Sequence, residues 1–182
     1  MSVAVHADLS IRTPAFVVQD DAGEPLARHL ALPPVGAGVD VTTDDRLPNA
    51  LSFTLGFHVT AGAWDTAVAW APTTWTVVAD AGWRHWYAGS GRAEGFYSDL
   101  GAGLRLVRLA QPWWTDHVAT GVGEHLGVGY ALRSGWTVEA RGETCFSLYE
   151  VGGELDSAAQ DLTWTWRPSS ARLAARVGRV FR

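Results

Sequence analysis

Alternation of apolar and polar residues with a period of two restricts the fold of this chain more than any other feature. Within the stretch LSFTLGFHVT the apolar positions are Leu51, Phe53, Leu55, Phe57 and Val59. The residues between them are small or polar. Because successive side chains of a β-strand point to opposite faces, the stretch predicts a strand with one apolar and one polar face.

The same alternation recurs along the chain with turn residues between the segments, which is typical of an antiparallel meander. The alternating segments are 3–12, 35–42, 51–60, 75–84, 96–106, 118–132, 136–150, 162–167 and 172–178. We expect eight to ten strands, eight in the preferred arrangement, with residues 13–34 forming a long loop. Whether Trp64–Ala71 is a further strand or part of a loop stays open.

Length and composition agree with an all-β fold in one domain, residues 1–182. Ten Trp and 20 Gly among 182 residues suit strands and turns better than helices. The longest uncharged stretch, Leu47–Trp64, contains Pro48 and has period two, so it is a poor transmembrane helix.

Several functional classes are disfavoured by charge and by motif spacing. The net charge is −5 with both signs mixed along the chain, so no basic stripe for nucleic acid is present. Cys145 is the only cysteine, and the six histidines lack metal-ligand spacing, so we expect no cofactor and no metal site. The glycines of GVGEHLG do not match the dinucleotide fingerprint.

The periodic pattern fits two architectures, and the residues of the polar face distinguish them. A soluble barrel or sandwich buries the apolar face, whereas a transmembrane barrel turns it toward lipid and encloses the polar face. This polar face is rich in Gly, Ala, Ser and Thr, which suits a narrow lumen better than a solvated surface. We therefore predict a single up-and-down antiparallel transmembrane β-barrel.

Charges of both signs share the polar face, as a closed interior needs if they are to be paired. The predicted lumen charge network is Asp80, Arg84, Asp99, Arg105, Glu139, Arg141, Glu143, Arg172 and Arg176, and Asp8 and Arg12 lie on the same face. His6, His58 and His125 also share it and are interpreted as hydrogen-bonding groups of the lumen.

The apolar face is predicted to contact lipid through Leu51, Phe53, Leu55, Phe57 and Val59. Trp and Tyr prefer the two membrane–water interfaces. The predicted interfacial aromatics are Trp75, Trp83, Tyr130, Trp136, Trp164 and Trp166.

Two segments, GFYSDLGAGLRLVR and GVGYALRSGWTVEARGE, place a glycine-spaced strand before a short turn and a strand that starts with Trp. In this pattern the chain resembles the small eight-stranded outer-membrane β-barrels of the OmpA-like and OmpW-like kind. Such barrels often end on an aromatic residue, whereas here Arg182 follows Phe181. Glu124 also departs from the pattern of such barrels, because this charged residue falls on the face predicted to contact lipid.

The resemblance implies a location in the outer membrane of a Gram-negative bacterium. The start MSVAVHADLS has no basic region and no continuous apolar run, so it does not read as a signal peptide. The chain is then either cytosolic or a mature chain with an added Met, and the membrane interpretation requires that a signal peptide has been removed.

The expected function is a structural or adhesive membrane protein that contacts membrane lipid. Its lumen is closed by side chains, and its loops 13–34 and 109–116 carry any binding. Two alternatives stay open, namely transport of small apolar molecules through the barrel, and a soluble lipocalin-like barrel with a hydrophobic ligand. We expect no enzyme, although His125, Glu143 and Ser147 are the residues that a lipid hydrolase would use.

Overall fold

The computed structural model describes residues 1–12, 16–20, 25–27, 34–43, 48–60, 73–87, 94–110, 118–151, 154–157, 162–166 and 170–181. For residues 16–20, 25–27, 154–157 and 162–166, and for a few residues at the ends of the other strands, it describes the backbone only. The described residues include no helix with the length and apolarity of a membrane span.

Twelve strands make up the described regular structure. They are β1 (Ser2–Arg12), β2 (Phe16–Asp20), β3 (Pro25–Ala27), β4 (Val35–Thr42), β5 (Asn49–Thr60), β6 (Thr73–Trp86), β7 (Gly95–Ala110), β8 (Val118–Ala131), β9 (Trp136–Val151), β10 (Glu154–Ser157), β11 (Leu162–Trp166) and β12 (Ser170–Phe181).

Eight of these strands close into one barrel in the order β1-β12-β9-β8-β7-β6-β5-β4. Every pair is antiparallel, and the last strand returns to the first, with Val3 opposite Phe181 and Arg12 opposite Arg172. The predicted fold, an eight-stranded up-and-down barrel, is confirmed. Closure leaves no free strand edge in the wall.

The other four strands form a separate sheet in the order β10-β11-β2-β3. The predicted loop 13–34 therefore contains two strands, and 162–166 lies in this sheet and not in the barrel wall. The predicted loop 109–116 begins later, because Leu109 and Ala110 end β7. Alternation with a period of two predicts a strand but does not indicate which sheet the strand joins. Trp64–Ala71 lies outside the described residues.

The two ends of the barrel differ in the length of their connections. Residues 13–34, 61–72, 111–117 and 152–169 connect strands at one end, which we call the long-loop end. Residues 43–48, 87–94 and 132–135 connect them at the other, the short-turn end, where Gly135 turns with φ 87°. The strands β2, β3, β10 and β11 all belong to connections of the long-loop end.

One irregularity in the wall changes which side chains face out. Between β8 and β9 the register shifts, because Thr120 pairs with Tyr149 whereas Gly121 pairs with Ser147. The extra residue, Leu148, forms a bulge, which interrupts the alternation. Tyr149, predicted on the polar face, is therefore exposed to 65 % beside Leu148 at 72 %.

Glycines of the inner face provide space for large side chains from neighbouring strands. A Cβ on Gly129 would lie 2.4 Å from Cζ of Tyr97, and one on Gly123 would lie 2.8 Å from Nε of Arg105. Some glycines of the polar face are therefore recesses that side chains fill, as at Gly129, whereas a Cβ on Gly103, Gly121 or Gly123 would first meet a backbone carbonyl of a neighbouring strand. This packing explains why glycine is frequent within strands, where it otherwise destabilises.

We expect Gly129→Ala to lower the free energy of unfolding by about 1–3 kcal/mol, because the new methyl group overlaps the Tyr97 ring. Gly142→Ala is the matched control, since the nearest atom to its new Cβ, the Leu126 carbonyl oxygen, lies 3.9 Å away. Urea unfolding in lipid vesicles, followed by tryptophan fluorescence, measures both. Equal losses in the two variants would contradict the recess interpretation.

Candidate functional site

The barrel interior is a cluster of buried ionisable side chains, which we call the lumen network. Its members are His6, Asp8, Asp40, His58, Asp80, Arg84, Asp99, Arg105, His125, Glu139, Arg141, Glu143, Arg172 and Arg176. Each of these side chains is less than one-tenth exposed. Each comes from an inward position of its strand, so the alternation of the sequence directs all of them to one space.

Asp99 on β7 accepts hydrogen bonds from three neighbouring side chains. Arg84 donates from Nε and Nη2 to its Oδ2 at 2.9 and 2.6 Å. The Ser52 hydroxyl donates to Oδ1 at 3.1 Å, and His125 Nε2 lies 3.2 Å from the same oxygen. The Arg84 guanidinium also stacks over the Tyr97 ring, 4.5 Å from its centroid. A buried carboxylate with this many donors is well compensated.

A second centre forms around Asp80 on β6. Arg105 donates to both of its carboxylate oxygens, with Nη2 at 3.1 Å from Oδ2. His125 Nδ1 lies 2.8 Å from the same Oδ2. His125 therefore joins the carboxylate of Asp80 to that of Asp99 and links β6, β7 and β8 through one ring.

Toward the long-loop end, the network continues through β1, β9 and β12. Arg172 donates from Nη2 to Glu143 Oε2 at 2.7 Å and from Nη1 to Asp8 Oδ1 at 3.5 Å. His58 Nε2 lies 3.0 Å from the other oxygen of Asp8. Each carboxylate of this group is thus shared between two partners.

Another part of the network surrounds Asp40 and Glu139. Thr54 donates its hydroxyl to Asp40 Oδ1 at 2.6 Å, and His6 Nδ1 lies 3.4 Å from Asp40 Oδ2. Arg176 Nη2 lies 2.7 Å from His6 Nε2. The Tyr97 hydroxyl donates to Glu139 Oε2 at 2.9 Å.

Arg141 lies in the middle of β9 and has no exposed side-chain surface. Its Nη1 is 3.7 Å from Glu139 Oε1, and its Nε is 3.6 Å from Glu143 Oε1. Among the described residues its nitrogens have ion-pair partners but no hydrogen bonds. Coulomb attraction from both sides therefore compensates this buried charge.

Little space remains between these side chains. A cavity of about 30 Å³ lies at the long-loop end, lined by His58, Arg105, Glu143, Cys145 and Arg172 among others. That volume is enough for about one or two water molecules. Among the described residues, the side chains of the network occupy much of the neighbouring interior.

All nine residues of the predicted charge network face the lumen and are brought together by the fold. Asp8, which the alternation placed on the same face, also belongs to the network, whereas the prediction left out Asp40 although it too occupies an inward position of an alternating strand. Arg12 has no described side chain. The three lumen histidines each contact a carboxylate, and the described residues contain no group of His, Cys, Asp and Glu suited to a metal ion.

The residues considered for a lipid hydrolase do not form a catalytic arrangement around His125. Both of its ring nitrogens are directed at Asp80 and Asp99. Glu143 lies opposite His125 in the β8–β9 register but pairs with Arg172. Ser147 is half-buried, and it follows Cys145 along the inner face of β9.

The outer face of the barrel is apolar and exposed. Leu51, Phe53, Leu55 and Phe57 are between 47 and 60 % exposed, and Val59 at the strand end is half-buried. The alternative of a soluble lipocalin-like barrel is wrong, because its apolar face would line the interior. Here the interior holds the charges instead.

Aromatic residues mark both ends of this face. Trp83, Tyr130 and Trp136 are exposed near the short-turn end, and Trp75 is half-buried near the long-loop end. Arg179 stacks on Trp136 and Arg108 on Trp75, with 5.6 and 5.9 Å to the ring centroids. Trp164 and Trp166 belong to β11 in the separate sheet, and their side chains lie outside the described residues.

Glu124 faces outward at the middle of β8, as the alternation predicts. It lies opposite Ala102 on β7, and its backbone N–H donates to the Thr144 hydroxyl of β9 at 3.2 Å. Among the described residues, Glu124 therefore places a carboxylate in the middle of a mainly apolar wall, between small neighbours.

We expect Asp99→Ala to lower the free energy of unfolding by about 3–5 kcal/mol, because it leaves Arg84 and His125 buried with one carboxylate fewer. The matched control is Glu94→Ala, which breaks the exposed pair between Glu94 and Arg133 (Nε to Oε2 3.1 Å) and changes stability by about 0–1 kcal/mol. Urea titrations in vesicles measure both variants. A loss for Asp99→Ala no larger than the control's would show that the network is not needed for stability.

Comparisons with known proteins rest on structure alone, since no protein-family model and no curated protein sequence matches the chain. The N-terminal β-barrel domain of Pseudomonas aeruginosa OprF superposes with a TM-score of 0.56 at 13 % identity, over 99 % of this chain and 97 % of that one. Neisserial surface protein A gives 0.54 at 14 % identity, over 98 % of each chain. Ail, the attachment invasion locus protein of Yersinia pestis, gives 0.51 at 13 % identity, over 99 % and 97 %.

These matches cover nearly the whole chain, and they agree with the closed eight-stranded wall. The chain therefore has the fold of the small eight-stranded outer-membrane β-barrels.

Proposed function

We propose that this chain is a bacterial outer-membrane protein with a structural or adhesive role, its barrel closed by side chains and its binding surface at the long-loop end. The observation that carries the proposal is the distribution of polarity. Paired charges are buried inside, and large apolar side chains are exposed outside. Lipid is the surrounding in which this arrangement is favourable.

The height of the apolar wall supports a membrane-spanning role. Trp75 and Trp83 lie eight positions apart on β6, near opposite ends of the wall. Eight residues of strand extend roughly 27 Å, and a tilt of 35–45° reduces this to a height of about 20 Å. Outer-membrane barrels present an apolar band of about 25 Å between aromatic girdles.

The filled lumen favours a structural or adhesive role over transport. Passage of small apolar molecules through the barrel would need an apolar track, whereas the described inner side chains are mainly charged, polar or glycine. The cavity of about 30 Å³ at the long-loop end is too small for such a substrate.

The long-loop end supports a binding role. Outer-membrane barrels have short turns on the periplasmic side and long loops outside the cell, so this end would face the surroundings. Its connections are long enough to form the sheet of β2, β3, β10 and β11 beyond the wall. One protein of the same fold carries the name attachment invasion locus protein, which favours an adhesive role.

Membrane insertion is tested with the purified chain. We expect it to aggregate in plain buffer and to fold in detergent or lipid vesicles. Folded barrel should migrate differently on a gel before and after boiling, because the closed wall resists detergent until heated. A monodisperse, folded protein in buffer without detergent would contradict the proposal.

Adhesion is tested on bacteria that display the chain. We expect attachment to epithelial monolayers to fall when residues 13–34 are replaced by a short Gly-Ser turn, because this removes β2 and β3 from the long-loop end. The control replaces residues 132–135 at the short-turn end and should leave attachment unchanged. Both variants must show the heat-dependent gel shift. If attachment is unchanged in the first variant, the proposed adhesive role is contradicted and the structural role alone is kept.

A further inference from the structure

His125 is the one described histidine whose two ring nitrogens both lie beside carboxylate oxygens. Nδ1 is 2.8 Å from Asp80 Oδ2, and Nε2 is 3.2 Å from Asp99 Oδ1. A neutral imidazole has one nitrogen that donates and one that accepts, so it can satisfy only one of these contacts. The second contact would then place two hydrogen-bond acceptors, the unprotonated ring nitrogen and a carboxylate oxygen, against each other.

The carboxylates cannot supply the missing proton. Asp80 accepts from Arg105 at both oxygens. Asp99 accepts two hydrogen bonds from Arg84 and one from Ser52. Groups held by so many donors are ionised. Both ring nitrogens of His125 must therefore donate.

We propose that His125 stays an imidazolium at neutral and mildly alkaline pH, a buried cation that binds Asp80 and Asp99 together, so that the barrel loses stability as the pH rises. Its place in the fold is the centre of β8, between the carboxylates of β6 and β7.

The other two lumen histidines each have one ring nitrogen beside a carboxylate, whereas His125 has two. Arg176 Nη2 lies 2.7 Å from His6 Nε2 and can only donate, so this nitrogen must accept. The proton of His6 is then on Nδ1, which faces Asp40. His58 contacts Asp8 through Nε2, which a neutral ring satisfies.

Groups on each neighbouring element set the balance around His125. The inward residues that face it are Asp80 and Arg84 on β6, Asp99 and Arg105 on β7, Arg141 and Glu143 on β9, and Ser52 on β5. The two carboxylates are in direct contact with the ring. The guanidinium groups of Arg84 and Arg105 hydrogen-bond to those same carboxylates, and the charge of Arg141 opposes the imidazolium, but the two direct contacts make the attraction larger than the repulsion.

Stability should therefore fall as the pH rises. A histidine in the unfolded chain loses its proton near pH 6.5, whereas the folded barrel keeps it on His125. Folding at higher pH thus takes up one proton, and the equilibrium constant for unfolding increases about tenfold per pH unit. This increase ends at the pH at which His125 of the folded barrel loses its own proton.

The protonation state is measured directly by nitrogen NMR of histidine-labelled protein in lipid or detergent at about pH 8. We expect both ring nitrogens of His125 to carry protons, with His6 protonated only at Nδ1. Assignment through the backbone makes the result independent of any variant. A deprotonated ring nitrogen on His125 at this pH would overturn the proposal, whatever the result of the membrane tests.

Unfolding between about pH 7 and pH 8 gives a second readout. The wild-type constant should rise about tenfold, whereas that of His125→Gln should change much less. His85→Gln is the control, because His85 hydrogen-bonds Asn49 near the short-turn end and lies outside the lumen network. It should keep the wild-type pH dependence. Equal pH dependence in wild type and His125→Gln would also overturn the proposal.

Discussion

Pairing of buried charges is the interaction on which the rest of this barrel depends. Burying an isolated ion is costly, and the cost is offset only when partners of opposite charge are held close with good geometry. Asp99, with Arg84, Ser52 and His125 around it, shows how the barrel meets this demand. The donors come from β5, β6 and β8, so the partners of this carboxylate meet when these neighbouring strands pair with β7. The contact of Arg172 with Asp8 joins β12 to β1, so closure of the barrel brings further opposite charges together.

Glycine makes this dense interior fit within eight strands. An eight-stranded barrel has space only for interdigitated side chains, and arginine and histidine are large. Where one of these side chains crosses the lumen, the facing strand often has glycine, as Gly123 does beneath Arg105 and Gly36 beneath His58. The frequency of glycine and the frequency of inward arginine are thus two aspects of the same packing. Neither would be explained by a solvated surface.

The sequence predicted the barrel and most of its interior for a definite physical reason. Alternation with a period of two assigns each residue to a face, and the types on the polar face show that it is enclosed. That reasoning placed Arg141 and Glu139 inside and Phe53 outside, as the structure has them. The predicted network left out Asp40, although the alternation of its strand, β4, places it on the inner face.

Other features depend on information that alternation does not contain. The bulge at Leu148 adds one residue to a strand, and only the pairing with β8 shows where. The membership of β11 in a second sheet depends on its partners β2 and β10, which are distant in sequence. The geometry of the side-chain pairs could not be predicted from the sequence either, since the contact of His125 with two carboxylates is visible only from atomic positions. The face on which a residue lies can be predicted from its neighbours in the sequence, whereas its partner on another strand cannot.

The outward carboxylate of Glu124 gives the barrel wall a distinct side. Its neighbours across the strands, Ala102 and Thr144, are small, so water and lipid headgroups can approach it more closely than elsewhere on the wall. In the proposed membrane setting, the bilayer would be thinner beside β7, β8 and β9 than beside β5, where Phe53, Leu55 and Phe57 project. One side of the barrel wall would then differ from the others, and neighbouring molecules in the membrane would be contacted from that side.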